Sequence, residues 1–163
     1  MMSDGKADFK KAQNAALELL EQFGVTKPPI NPVDIAKSLG VKVWFVNFSG
    51  EYDKVSGFYD VDEKAIYVNK DEYPHRQTFT VAHELGHHIL HKEWAKSSDY
   101  KMMFRNEGPS KDPHEQEANA FAANLLVPRK MLDEYKSLAS PSELAELFLV
   151  SLPVIANRMN SRA

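Results

Sequence analysis

The chain has 163 residues, a net charge of −3 and no cysteine, with 43% hydrophobic and 26% charged residues. This composition is ordinary for one globular domain, and it excludes disulfides, cysteine-based zinc sites and thiol catalysis. The polar N-terminus lacks the apolar core of a signal peptide, and no apolar run approaches the ~20 residues of a membrane span. We therefore expect a single cytoplasmic domain over residues 1–163, with no membrane association and no dominant nucleic-acid surface.

The first two predicted elements are helices. Apolar residues recur at helical spacing from Ala7 to Phe23, and Gly24 follows in the position of a C-terminal cap. After a proline-rich link, Asn31 and Pro32 have the pattern of a helix start, and Gly40 ends this second helix.

Three segments with the composition of β-strands follow. Val41–Phe48, Val55–Tyr59 and Ala65–Asn69 are rich in β-branched and aromatic residues. The last two are predicted to form a hairpin with a loop of about four or five residues. Because all three precede the next long helix, we expect a small, mainly antiparallel three-stranded sheet packed against that helix. The predicted fold class is α+β, with further helices flanking this unit at the N- and C-termini.

The next predicted helix begins near His75 and carries the sequence HELGH. His83 and His87 lie one turn apart on the same helix face, where both imidazoles could bind one metal ion. Glu84 follows the first histidine, so its carboxylate should lie beside the ion, where it could accept a proton from water. The flanking residues are mostly apolar, and burying these polar side chains is costly unless they are paired or bound to a metal. The spacing therefore predicts a metal site of the HExxH type.

The segment after this helix is less regular. Residues 92–111 are predicted to form a long loop, with a short helix around Tyr100–Phe104 and a turn at Gly108–Pro109. A strong helix then opens at residues 112–115 and is stopped by Pro128. A further helix is predicted over Arg129–Lys136.

Two helices are predicted at the C-terminus, over Pro141–Phe148 behind a capping box and over Pro153–Asn160. Their arrangement at about 140–160 has the pattern of a helix-turn-helix unit. However, apolar residues at 152–155 occupy the start of the second helix, where polar base-reading groups belong. From Arg129 onward, five basic residues stand against only four acidic ones, too small an excess for phosphate binding. We therefore interpret this helix pair as structural and expect no direct nucleic-acid binding.

A catalytic zinc usually takes three protein ligands, so a third ligand must be sought. His91 continues the histidine stripe, but a rise of ~12 Å from His83 along a straight helix is too long for one ion. Glu115 is the better candidate, because it lies in the first turn of the next packed helix. Asn119 lies on the same face, where its amide could hydrogen-bond a ligand. Glu117 is the rival carboxylate, about 200° around the helix from Glu115, so only one of the two can face the metal.

The motifs HELGHHILH and EQEANAFAANLLVP resemble those of the ImmA/IrrE family of zinc metallopeptidases, and the resemblance extends over Pro32–Pro128. It implies a zincin-like fold and a gluzincin-like site with one zinc ion per chain. In that site His83, His87 and Glu115 are the metal ligands and Glu84 is the general base. The resemblance also implies a protein substrate, a helix-turn-helix repressor encoded nearby.

Other functions stay open at this point. A non-catalytic, metal-stabilised partner of a repressor or of a toxin–antitoxin system would need the same cleft, and a DNA-binding regulator is a less favoured alternative. For hydrolysis, a second group that stabilises the oxyanion is usual, and the candidates are His88, His114, Tyr73 and Tyr100. An extended substrate could add as a strand to an exposed sheet edge, for which Ala65–Asn69 is the predicted strand.

Overall fold

The computed structural model describes residues 5–103 and 110–161. Within these residues the chain forms nine α-helices and three β-strands, in agreement with the predicted α+β class. The helices are α1 (Phe9–Gln22), α2 (Pro32–Ser38), α3 (Pro74–Leu90), α4 (Lys92–Ala95), α5 (Ser98–Met103), α6 (Pro113–Leu126), α7 (Arg129–Tyr135), α8 (Pro141–Phe148) and α9 (Leu152–Asn160). The strands are β1 (Lys42–Val46), β2 (Gly57–Asp60) and β3 (Ala65–Asn69).

The sheet is mixed and has the strand order β1-β3-β2. Strands β2 and β3 form the predicted antiparallel hairpin, whereas β1 pairs with β3 in parallel. The mainly antiparallel pairing that we predicted therefore applies to only one of the two strand pairs. Residues 47–56 reverse the chain between β1 and β2, and the hairpin reverses it again, so β3 runs in the direction of β1.

The strand order also corrects the prediction that Ala65–Asn69 offers an exposed edge. This segment is β3, the central strand, and both of its edges are paired. Its side chains explain this position, because Ile66 and Val68 are fully buried and a central strand gains most from burying apolar residues. The edge strands are β1 and β2.

Strand β2 lies unusually close to helix α3. A Cβ atom at Gly57 would be 2.6 Å from both the Thr80 methyl carbon and the Tyr67 carbonyl oxygen. Only glycine fits this contact without a shift of the backbone or of α3. The sheet is thereby held directly against the helix that carries the HELGH sequence.

Helix α6 packs closely across α3 for a similar reason. Gly86, within the HELGH sequence, has no side chain, and a Cβ atom there would be 3.0 Å from the Phe121 ring. Phe121, Leu85 and Leu125 are fully buried at this contact between the two helices and the rest of the core. The close approach brings the first turn of α6 over the middle of α3.

The segment from residue 92 onward contains more helix than predicted. Helices α4 and α5 occupy residues that we predicted to be mainly loop, because Ala95 and Tyr100 are buried in the core and packing there stabilises short helices that local pattern does not reveal. The predicted turn at Gly108–Pro109 and the predicted helix end at Phe104 lie outside the described residues.

The C-terminal helices contribute to the core. Phe148 of α8 and Ile155 of α9 are fully buried, and the predicted capping box at the start of α8 is present. Arg158 is only 3% exposed, and its guanidinium donates to the Val127 carbonyl oxygen and to the Asn124 side chain at the end of α6. An arginine that is buried in this way cannot contact phosphate, which supports the structural interpretation of this helix pair. None of the described helices has the length and apolar content needed to cross a membrane.

Candidate metal centre

Three of the predicted site residues converge at the contact between α3 and α6. The Nε2 atom of His83 is 3.1 Å from Glu115 Oε2, and the Nε2 atom of His87 is 2.5 Å from the same oxygen. The three ligand atoms all lie within 4.8 Å of one another. Two imidazole nitrogens and a carboxylate oxygen are a ligand set that suits zinc.

The orientation of His83 is set by Asn119, the residue predicted to support a ligand. Asn119 Oδ1 lies 2.8 Å from His83 Nδ1. An amide oxygen can only accept, so His83 Nδ1 carries a hydrogen, and Nε2 is the nitrogen that faces Glu115. This is the arrangement that a metal ligand requires, because metal-binding histidines commonly donate their other ring N–H to an oxygen acceptor.

His87 is held by a buried set of contacts that the sequence reasoning missed. Its Nδ1 atom lies 3.0 Å from His91 Nδ1, and His91 Nε2 lies 2.8 Å from Glu117 Oε1. We had considered His91 and Glu117 only as ligands, and the structure places both outside the group of three converging atoms. The four-residue spacing of His87 and His91 was the signal available in the sequence.

Glu84 lies beside the three ligand atoms but is not one of them. Its side chain is buried, its Oε2 atom is 3.9 Å from His83 Nε2, and its Oε1 atom accepts from the Tyr100 hydroxyl at 2.6 Å. The Tyr100 oxygen also accepts from the Tyr59 backbone N–H on β2. Burial raises the pKa of Glu84 to about 7, outweighing the opposing effects of the His83 charge and the Tyr100 hydrogen bond. A carboxyl with such a pKa is suited to exchange protons near neutral pH.

The three ligand candidates have strongly different proton affinities. Burial lowers the pKa of His87 to about 4, so this imidazole is neutral at pH 7. Burial also acts to lower the pKa of His83, but the hydrogen bond to Glu115 and the charges of Glu84 and Glu115 raise it to about 9. Despite burial, hydrogen bonds to both histidines hold the pKa of Glu115 well below its usual range. A proton therefore occupies the metal-free cluster, and a cation fits the same place.

Among the four candidates for oxyanion stabilisation, one has a side chain that hydrogen-bonds the Glu84 carboxylate. Tyr100 does so through its hydroxyl. His88 instead contacts a tyrosine hydroxyl of β2, His114 stacks on a tryptophan of α4 with ring centroids 4.2 Å apart, and Tyr73 is 80% exposed. Tyr100 comes from a segment predicted to be mainly loop, so its position next to Glu84 depends on the packing of α5.

The sequence of the chain is similar to those of known proteins. The sequence pattern of the IrrE N-terminal-like domain family, Peptidase_M78, matches residues 36–160. The chain belongs to this family. Among similar proteins, the uncharacterized immunity region protein 2 of Bacillus phage phi105 is 33% identical over 109 residues, which cover 66% of this chain and 65% of the relative.

Two further relatives carry names of metal-dependent proteases. The metallopeptidase ImmA of Bacillus subtilis (strain 168) is 37% identical over 73 residues, which cover 45% of this chain and 40% of the relative. The radiation response metalloprotease IrrE of Deinococcus deserti is 29% identical over 133 residues, 80% of this chain and 46% of the relative. The chain thus spans about 40–65% of the length of these three relatives.

A solved structure shares the fold. A Mycobacterium tuberculosis transcriptional regulator superposes with a TM-score of 0.65 at 18% identity, over 93% of this chain and 47% of that chain. At this identity the likeness concerns the fold alone. Membership of the Peptidase_M78 family, together with the cluster of His83, His87 and Glu115, indicates a metal ion at this site.

Proposed function

We propose that the chain is a zinc-dependent endopeptidase that hydrolyses a protein substrate. The observation that carries this proposal is the convergence of three ligand atoms from two helices beside a buried carboxylate that is not itself a ligand. In this proposal His83, His87 and Glu115 hold one zinc ion and Glu84 is the general base. Names of two relatives, a metallopeptidase and a metalloprotease, support it.

Each residue around the ion has a defined task. When bound, zinc would lower the pKa of a water molecule and polarise the scissile carbonyl. Glu84 accepts the proton of that water and passes it to the leaving amine. Asn119 fixes the His83 ring. Tyr100, which donates to Glu84, keeps the carboxylate in one orientation.

The substrate would bind as an extended strand along β2. Of the two edge strands, β2 is the one next to the site; because its Tyr59 N–H already donates to the Tyr100 hydroxyl, a substrate strand would displace that hydrogen bond or pair with β2 on either side of it. Strand addition supplies backbone hydrogen bonds that do not depend on substrate sequence, so specificity must come from side-chain contacts. This edge replaces the one that we predicted from the sequence.

We further propose that the substrate is a helix-turn-helix repressor encoded near the gene, and that cleavage takes place in the cytoplasm. One relative belongs by name to the immunity region of a phage, which supports a partner of this kind. The buried Arg158 and the low basic charge of the C-terminal helices argue against direct DNA binding by these helices. The repressor would therefore be the DNA-binding partner.

The experiment is incubation of the zinc-loaded chain with the repressor encoded by the neighbouring gene, with and without a chelator. We expect a discrete repressor fragment that disappears on chelation. The competing function, a metal-stabilised docking partner, predicts a stable complex with an intact repressor. Co-elution of the two full-length proteins without any fragment would favour docking and refute the peptidase proposal.

A further inference from the structure

Three hydrogen bonds in series connect the metal-facing His87 to the start of the first helix. His87 Nδ1 contacts His91 Nδ1 at 3.0 Å, and His91 Nε2 contacts Glu117 Oε1 at 2.8 Å. The other carboxylate oxygen of Glu117 accepts from the Asp8 backbone N–H at 2.7 Å. His87, His91 and Glu117 are 0%, 7% and 2% exposed, so water cannot replace any of these partners freely. We call this series the His91–Glu117 relay.

When a metal ion occupies the Nε2 lone pair of His87, only one proton arrangement of the relay satisfies every contact. A backbone N–H can only donate, so one Glu117 oxygen is an acceptor for Asp8, and the other must accept from His91 Nε2–H. A neutral His91 then has its lone pair on Nδ1, which accepts the Nδ1–H of His87. The Nε2 lone pair of His87 is thereby left for the metal ion, which takes the place of the hydrogen that Nε2 donates to Glu115 in the metal-free cluster.

The reverse arrangement is incompatible with metal binding. In it His91 donates from Nδ1, either as an imidazolium or with a proton on Glu117, and His87 accepts at Nδ1. The remaining hydrogen of His87 would then lie on Nε2, the atom that must bind the ion. A Glu117 carboxylate that accepts from a neutral His91 therefore favours the tautomer of His87 that binds the ion.

We propose that His91 and Glu117 are positioning residues that hold His87 in its metal-binding tautomer, and that they anchor this ligand to the N-terminal helix through Asp8. This inference rests on the proposed metal site and is independent of peptide hydrolysis. It differs from a packing role, because it depends on the direction of hydrogen bonding and not on the volume of the two side chains.

Substitutions at His91 separate these two roles. In His91→Gln the amide oxygen can accept from His87 and the amide nitrogen can donate to Glu117, so the direction of the relay is kept. In His91→Leu a side chain of similar size fills the space but makes no hydrogen bond. Glu117→Gln has a single oxygen, which cannot accept from both Asp8 and His91. The matched control is His88→Gln, which replaces a buried histidine of the same helix that faces strand β2.

The primary measurement is zinc affinity at a fixed pH, by competition with a chromophoric chelator, with circular dichroism to check folding. We expect His91→Leu and Glu117→Gln to bind zinc about 10–100-fold more weakly, the usual effect of removing a partner of a metal ligand. His91→Gln and the control should stay within a few-fold of the wild type. A folded His91→Leu variant with wild-type affinity, or a His91→Gln variant as weak as His91→Leu, would overturn the inference.

A second measurement does not depend on how the leucine variant folds. The ¹⁵N shifts of the His91 ring in the zinc-loaded protein distinguish a hydrogen on Nε2 from one on Nδ1. We expect a hydrogen on His91 Nε2 and none on Nδ1 in the wild type, and a shift toward Nδ1–H in Glu117→Gln; a hydrogen on His91 Nδ1 in the zinc-loaded wild type would contradict the relay. Wild-type chain that binds no zinc would instead refute the proposed metal site and this inference together.

Discussion

Replacing Glu84 with glutamine should remove the chemistry of the site and leave its structure intact. The side chain is buried and accepts a hydrogen bond from the Tyr100 hydroxyl, which an amide oxygen can also accept. Glutamine cannot take a proton from water. We therefore expect Glu84→Gln to fold, to bind one zinc ion and to cleave the repressor at least ~10²-fold more slowly, the low end of what a positioned general base contributes.

The same substitution should change the stability of the metal-free chain in a pH-dependent way. Burial raises the pKa of Glu84 from 4.5 to about 7, which corresponds to about 3 kcal/mol against the charged form, since one pH unit is about 1.4 kcal/mol. The pKa of Glu84 is higher in the folded chain than in the unfolded chain. Below about pH 4.5 the carboxyl is protonated in both states and does not lower the stability of the fold, whereas above about pH 7 the full loss of stability is present. Glu84→Gln lacks this titration, so its stability relative to the wild type should increase by about 3 kcal/mol across that range.

Thermal melts of both proteins in chelator, at about pH 5 and pH 8, measure this difference. About 2.5 kcal/mol of this cost arises between these two pH values. For a chain of this size 1 kcal/mol corresponds to about 2–4 °C in Tm, so the gap between variant and wild type should widen by about 5–10 °C at the higher pH. An unchanged gap would refute the argument from the buried carboxylate. A zinc-loaded Glu84→Gln protein that cleaves at the wild-type rate would remove Glu84 from the mechanism, and full activity in cells without cleavage would favour docking.

Three further outcomes are expected. Glu115→Ala should lose most of its zinc, because one of three converging ligand atoms is removed. The control Glu93→Ala changes an exposed carboxylate on α4 and should keep its zinc, and metal analysis of the dialysed proteins measures both. Zinc binding at pH 7 should displace about one proton, since the pKa of His83 is raised to about 9 in the metal-free site. Calorimetry in buffers of different ionisation enthalpy measures the number of protons released, and a binding enthalpy that does not depend on the buffer would contradict this prediction. Arg158→Leu should lower the free energy of unfolding by about 2–5 kcal/mol, because two buried acceptors at the end of α6, the Val127 carbonyl and the Asn124 side chain, lose their donor. Urea denaturation measures this loss, and the zinc content should stay unchanged.

The parts of the fold that sequence alone predicted are those set by local chemistry. The spacing of His83 and His87 places them on one helix face whatever the rest of the chain does. The asparagine cap before Pro32, the capping box at Ser140 and the hairpin between β2 and β3 are likewise decided within a few residues, and all are present. Glu115 could be put forward because its helix has a clear start.

The parts that could not be predicted depend on contacts between distant segments. The parallel pairing of β1 with β3 follows from the path of residues 47–56, which no periodicity reveals. Helices α4 and α5 form because Tyr100 is buried, and only that packing brings its hydroxyl to Glu84. His91 was treated as part of a straight helix, yet α3 ends at Leu90, and the ring turns back to contact His87.

The ligand atoms come from two helices, and this gives the metal a thermodynamic role beyond chemistry. His87 and Glu115 are separated by 28 residues, so an ion held between them closes a loop that contains α4 and α5. The unfolded chain does not hold these ligand atoms together, so zinc binds only the folded chain, and by mass action free zinc at about 1,000 times its dissociation constant adds about 4 kcal/mol to the stability of the folded chain. Resistance to general proteolysis should therefore rise with the free zinc concentration, even in a variant that cannot cleave its substrate.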